Sequence, residues 1–212
     1  MKIEKRYKII DTAKDVLLKK GVFKTRVEDI TNNLGIAKGS FYTYFKSKDI
    51  LLEEIVLEIL NARKEEYDHI LENITNLEEG IEKFVENRLI IAPNDLKNHL
   101  ILINLSKNLD SLGSGIREIL VNIEILNRKT LNDILENFLK EEYDEEILDN
   151  MIIFIMGGVK AYRLKKFFFK NIEEFYISDT SEYWKKLENI DIRKDIDWLK
   201  NRILKFLVGG MN

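Results

Sequence analysis

The sequence of 212 residues has no cysteine, two histidines and a single proline, Pro93. The lack of cysteine excludes disulfides and thiolate chemistry, and two histidines alone leave too few ligands for a zinc centre. One proline and ten glycines leave few residues that interrupt a helix. No apolar run approaches the roughly 18 residues that a membrane-spanning helix needs. The first twenty residues are charged throughout, unlike a secretory signal. These absences predict an all-α protein of the cytoplasm that works without a membrane, a metal or a cofactor.

Hydrophobic residues make up 45% of the chain and charged residues 33%, the balance of a globular protein rather than a disordered one. The net charge is only −3, but residues 1–48 hold 12 Lys and Arg against 5 Asp and Glu, a net of +7, whereas residues 49–212 carry a net of −10. A basic head on an acidic body is the asymmetry expected when the head meets a polyanion.

Apolar residues at helical spacing predict a first helix from about Ile3 to Lys20, closed by Gly21. In "TRVEDITNNLG" (25–35), Thr25 and Glu28 have the spacing of a capping box, and Val27, Ile30 and Leu34 share one face of a short second helix. Gly35 permits the left-handed turn that ends it. A third helix is expected over 37–45, and Ser47 caps a fourth, with Asp49 in its first turn. Helix, glycine turn, short helix is a helix-turn-helix. On the third helix Ala37, Phe41 and Phe45 share the core face. Gly39, Ser40 and Thr43 lie roughly opposite, small enough for a helix that must lie deep in the major groove. Tyr42 and Tyr44 carry hydroxyls suited to phosphates. Lys48 stands at a helix N-terminus, where charge and amide dipoles both favour an anion. Spacing alone leaves an ordinary three-helix bundle with a basic surface equally open.

The body reads as a helix from Ile50 to about Asn73, then 77–91 ended by Pro93, 95–109, 115–141, 146–171 and 192–208, with "SLGSG" (111–115) as a flexible connection. The stretch 172–191 has no clear pattern. "MIIFIMGGVKAYRLKKFFF" (151–169) is apolar nearly all round, which predicts burial on most faces. Gly157 and Gly158 cost helix stability of about 1 kcal/mol each against alanine, a cost expected where another backbone comes close. Enzyme signatures are weak. Glu66 and His69 have the Glu-x-x-His spacing of a di-iron bundle, which needs two such pairs, but His99 has Leu96 three positions before it. No Gly-x-Ser-x-Gly elbow or phosphate-cradling loop is present. The chain is therefore read as a non-enzyme.

The stretch "TRVEDITNNLGIAKGSFYTYFKSKDILLEEIV" (25–56) resembles the DNA-binding signature of the TetR family of bacterial repressors. Thr25, Ile30, Gly35, Lys38-Gly39-Ser40, Phe41-Tyr42, Tyr44-Phe45 and Lys48 carry the likeness. Two positions depart from it: Thr31 stands where a small alanine is typical and predicts looser packing, and Glu28 stands where a basic or polar residue is frequent. The resemblance implies a helix-turn-helix domain over 1–48 and a helical body over 49–212 that holds a ligand pocket and a dimer interface. It implies a homodimeric repressor that binds a pseudo-palindromic double-stranded DNA operator and is released by a small, hydrophobic effector. Lys38, Gly39 and Ser40 are then the expected base readers, and Thr25, Tyr42, Tyr44 and Lys48 the phosphate contacts. Pocket candidates are Arg88, His99, Asn104, Phe154 and Tyr162, with Arg88 suited to an anionic head group. The resemblance also implies that the last two long helices, assigned to 147–170 and 192–208, form the dimer interface, through Gly157, Gly158, Trp198, Leu199, Ile203 and Phe206. An activator without ligand release and a helical protein–protein interaction module are the alternatives.

Overall fold

The computed structural model describes residues 2–90, 92, 95–167 and 191–209. Among them are nine α-helices and no strand. They are α1 Lys2–Lys20, α2 Val27–Leu34, α3 Lys38–Tyr42, α4 Lys48–Asn73, α5 Leu77–Leu89, α6 Leu96–Ser106, α7 Ser114–Leu139, α8 Glu145–Phe167 and α9 Ile192–Gly209. The all-α class expected from the scarcity of proline and glycine holds. Several ends differ from those expected. The third helix is five residues long instead of nine. The 95–109 helix stops at Ser106, and a single 3-10 turn follows at Leu109–Ser111. The supposed flexible connection is largely structured, since Ser114 and Gly115 already belong to α7. Pro93 and the stretch 172–190 lie outside the described residues.

The described chain forms two compact units, one of residues 2–62 and 92–123, the other of 63–90, 124–167 and 191–209. In the first, α1 packs on α2 and α6, and α2 on α3. Ile9, Ala13 and Leu17 of α1, Ile30 of α2 and Leu51, Leu52, Ile55 and Val56 of α4 are buried. Their spacing of three and four residues is that of one helix face turned inward. Gly115 lies against α4, where a Cβ would meet the Glu53 carboxylate, the far end of a flexible side chain.

In the second unit one core joins four helices. α5 supplies Ile81, Phe84, Val85 and Leu89; α7 supplies Leu131, Ile134 and Leu135; α8 supplies Met151, Ile152, Ile155 and Val159; α9 supplies Ile196, Leu199, Ile203 and Leu207. α5 lies close to α7 at Gly80, where a Cβ would stand 2.7 Å from Cγ2 of Ile134. Polar ties are few and directed. Lys200 of α9 reaches Glu82 and Glu78 of α5 at 2.8 and 3.2 Å. The Tyr143 hydroxyl donates to the Leu207 carbonyl at 2.7 Å. The Tyr67 hydroxyl donates to Oδ1 of Asn127 at 2.9 Å, and both residues are buried. Tyr67→Phe leaves that acceptor without its donor, so it should lower the unfolding free energy by about 1–2 kcal/mol. Urea unfolding followed by far-UV circular dichroism measures this. An unchanged midpoint would mean that the bond is not formed or is replaced.

Candidate nucleic-acid interface

The head is built from two glycine turns. Gly21, at φ 93°, ends α1, and its N–H bonds the Leu17 carbonyl at 2.9 Å. The chain then doubles back, so that Thr25 is buried at 2% exposure and its hydroxyl donates to the Gly21 carbonyl at 2.8 Å. Thr25 therefore does not cap α2, and its hydroxyl is not presented to a phosphate. The cap lies one residue later: the N–H of Arg26 donates to Oδ2 of Asp29 at 2.7 Å. Lys20 donates to the same carboxylate at 2.5 Å and holds it below the usual carboxylate range. Glu28, not needed for the cap, pairs with Lys38. Thr31 is buried, and its hydroxyl is satisfied, donating to the Glu28 carbonyl at 3.2 Å.

Gly35, at φ 67°, ends α2 in the left-handed region, and the Ile36 N–H bonds the Thr31 carbonyl at 3.0 Å. α3 runs only from Lys38 to Tyr42, yet the N–H of Phe45 still bonds the Phe41 carbonyl at 3.0 Å. Both phenylalanines are therefore fully buried, with ring centroids 5.5 Å apart. Ala37, expected beside them, is exposed. Lys38, Gly39, Tyr42, Thr43 and Lys46 are also exposed, and Ser40 and Tyr44 are half-buried. No atom lies within 4 Å of the place a Cβ on Gly39 would take. Tyr42 rests edge-on against Phe41, with centroids 5.5 Å apart. α3 thus shows water a low surface with lysine at one end and tyrosine at the other.

Lys48 has a role that the sequence reading missed. Its ammonium donates to the carbonyls of Val22 and Thr25, each at 3.0 Å, fastening the α1–α2 turn to the start of α4. One proton remains for a further acceptor. The signal was present in the sequence: a cation in the first turn of a helix opposes the helix dipole and needs a partner elsewhere. Ser47 caps α4 as expected, accepting from the Ile50 N–H at 3.1 Å.

The pocket candidates are divided between the two units. Arg88 is buried in α5. Tyr162 donates to Asp195 at 2.5 Å, and burial with this bond pushes its hydroxyl up to about 12. Phe154 is 65% exposed and stacks on Phe206 at 4.7 Å, a surface position rather than a pocket wall. Those three belong to the second unit, whereas His99 and Asn104 stand on α6 in the first, His99 buried and the Asn104 amide donating to the Leu100 carbonyl at 2.9 Å. Of the dimer candidates, Leu199 and Ile203 are buried in their own unit's core and do not face outward. Gly157, Gly158, Trp198 and Phe206 are exposed, as is Ile153, which the sequence reading had not separated from its buried neighbours. Gly157 and Gly158 have open space where a Cβ would stand. The Glu66–His69 pair is spent separately, Glu66 accepting from Asn87 at 2.8 Å and His69 meeting Asn73 at 3.1 Å.

Residues 9–55 match the family model described as bacterial regulatory proteins, tetR family. The Uncharacterized HTH-type transcriptional regulator YerO of Bacillus subtilis is 45% identical over 49 residues, 23% of this chain and 17% of that protein. The HTH-type transcriptional repressor KstR2 of Mycolicibacterium smegmatis is 32% identical over 72 residues, and the chain again spans only 35% of its length. The Fatty acid metabolism regulator protein of Bacillus subtilis is 25% identical over 216 residues, 98% of this chain and 96% of that one. Among solved structures, the fatty acid degradation regulator FadR from Bacillus halodurans shares the fold with a TM-score of 0.65 at 17% identity, covering 94% of each chain. FadR from Bacillus subtilis in complex with stearoyl-CoA does so with a TM-score of 0.54 at 18% identity, over 85% of this chain and 96% of that one. The head over residues 9–55 thus resembles the tetR family of bacterial regulatory proteins in sequence, and the helices as a whole share the fold of the solved regulators.

Proposed function

We propose that this chain is a homodimeric, effector-responsive transcriptional repressor. The observation that carries the reading is α3 itself. Phe41 and Phe45 anchor it in the core while Lys38, Gly39 and Ser40 present a low, exposed surface. Such a surface fits the major groove, with Lys38 donating to guanine and the small neighbours admitting the base edges. Tyr42, Tyr44 and the remaining proton of Lys48 serve phosphates, and Thr25 serves them only by holding the turn on which Lys48 rests. Residues 1–48 act as the reader and 49–212 as the body. Lys48→Ala should weaken binding to every duplex and lower the slope of log affinity against log salt by about 0.9 per subunit contact. A fluorescent-DNA salt titration tests it; a changed base preference with the slope intact would contradict the phosphate role.

Two copies pair, in this reading, through α8 and α9. The exposed Ile153, Phe154, Trp198 and Phe206 form an apolar face beside Gly157, where open space admits another backbone. An isologous interface of this kind puts the dimer axis on the operator dyad. Phe154→Glu should convert dimer to monomer at micromolar concentration, read by sedimentation equilibrium. A wild-type chain that sediments as a monomer, or a variant that stays dimeric, argues against this face.

The effector is proposed to be a long-chain acyl thioester. The relative that aligns over nearly the whole chain is by name a regulator of fatty acid metabolism, and a structure sharing the fold holds stearoyl-CoA. Arg88, a buried cation on α5, is the candidate partner for its polar end. Release requires that the effector favour the DNA-incompetent form, by about 10⁴-fold to take occupancy from 99% to 1%. Stearoyl-CoA added to the fluorescent DNA complex should release it, and coenzyme A alone should not. Equal release by both, or by neither, would exclude an acyl effector.

A further inference from the structure

Glu28 and Lys38 meet across the Gly35 turn, the carboxylate of α2 accepting from the ammonium of α3. The ammonium also stands over the Tyr42 ring, 6.0 Å from its centroid. Both charged side chains stay half exposed. An ion pair this open to water adds little to folding stability. On a surface that meets DNA, a carboxylate repels every phosphate it approaches. Glu28 thus weakens general attraction to DNA without strengthening the fold. What the pair supplies is a fixed acceptor beside a fixed donor. The hydrogen bond from Lys38 holds the Glu28 carboxyl below the usual range, and the same bond raises Lys38, so both groups remain charged at neutral pH.

A C·G base pair presents the matching pattern on its major-groove edge: the cytosine N4 amino group donates, and guanine O6 and N7 accept. We propose that Glu28 is a specificity-determining residue, its carboxylate accepting from a cytosine amino group while the paired Lys38 donates to the guanine of the same base pair. This rests on the reading that α3 enters the major groove. The phosphate backbone offers only acceptors, so a phosphate can replace Glu28 at Lys38 but cannot use both charges. A G·C edge uses both. Glu28 therefore turns Lys38 from a general phosphate binder into half of a base-pair reader.

The test is selection from a library of randomised duplexes by the full-length wild type and by Glu28→Gln, with circular dichroism to show that both are folded. The wild type should enrich a two-fold repeated sequence with one strongly fixed C·G pair in each half. Glu28→Gln should lose that preference and gain adenine there, because an amide matches adenine N6 and N7. Its preference for the wild-type sequence over one with that pair changed should fall about tenfold. Identical base preferences in both proteins, with Glu28→Gln merely binding all duplexes more tightly, would overturn the proposal, since the carboxylate would then only repel phosphate. A wild type that enriches no sequence would instead overturn the major-groove reading of α3, and this inference with it.

Discussion

The complete burial of Phe41 and Phe45 is the constraint on which the head depends. A helix of five residues cannot hold itself in water, because nucleation fixes several residues for a single hydrogen bond. α3 persists because two rings, each worth about 1.5–3 kcal/mol when taken out of water, pull it against the rest of the unit. The left-handed Gly35 turns the chain so that these rings arrive inward. Lys48 fixes the opposite side by tying the Val22–Thr25 turn to α4. The outer surface of α3 is then whatever is left after those inward demands are met, and what is left is small and basic.

Much of the head was legible in the sequence, and its errors have physical causes. Two frames compete for the start of α2: Thr25 with Glu28, and Arg26 with Asp29. A hydroxyl at the first position makes the earlier frame look better. The turn at Gly21 decides otherwise, because it draws the Thr25 hydroxyl onto a carbonyl and hands the cap to Asp29. That shift of one residue frees Glu28 to meet Lys38, a contact between residues ten apart that no periodicity encodes. The length of α3 was overestimated because Phe41 and Phe45 keep helical spacing even where the helix has become a turn.

In the body the long helices were readable from their apolar period, but the division of apolar surface was not. Leu199 and Ile203 look equivalent to Trp198 and Phe206 in sequence, yet the first two complete the unit's own core and the others stay outside it. α8 divides likewise, with Met151, Ile152, Ile155 and Val159 inward and Ile153, Phe154 and Gly157 outward. A continuous apolar stretch hides its phase, since every position reads alike on a hydrophobicity scale. The pocket candidates rest on residue type alone. Polar side chains within apolar helices, such as Tyr162 and Asn104, turned out to satisfy partners in their own fold.

The separation of duties within α3 bears on how such a head changes over generations. Burial sits at Phe41 and Phe45, while Gly39 lies in open surroundings and Lys38 makes only its half-exposed contacts with Glu28 and the Tyr42 ring. Substitutions at the exposed positions leave the anchor intact, so they are free of the destabilisation that purges most mutations from a population. A duplicated copy of the gene can drift through many surface lettering schemes without ever passing through an unfolded ancestor. Change at that surface is then limited by what the surface must meet rather than by protein stability.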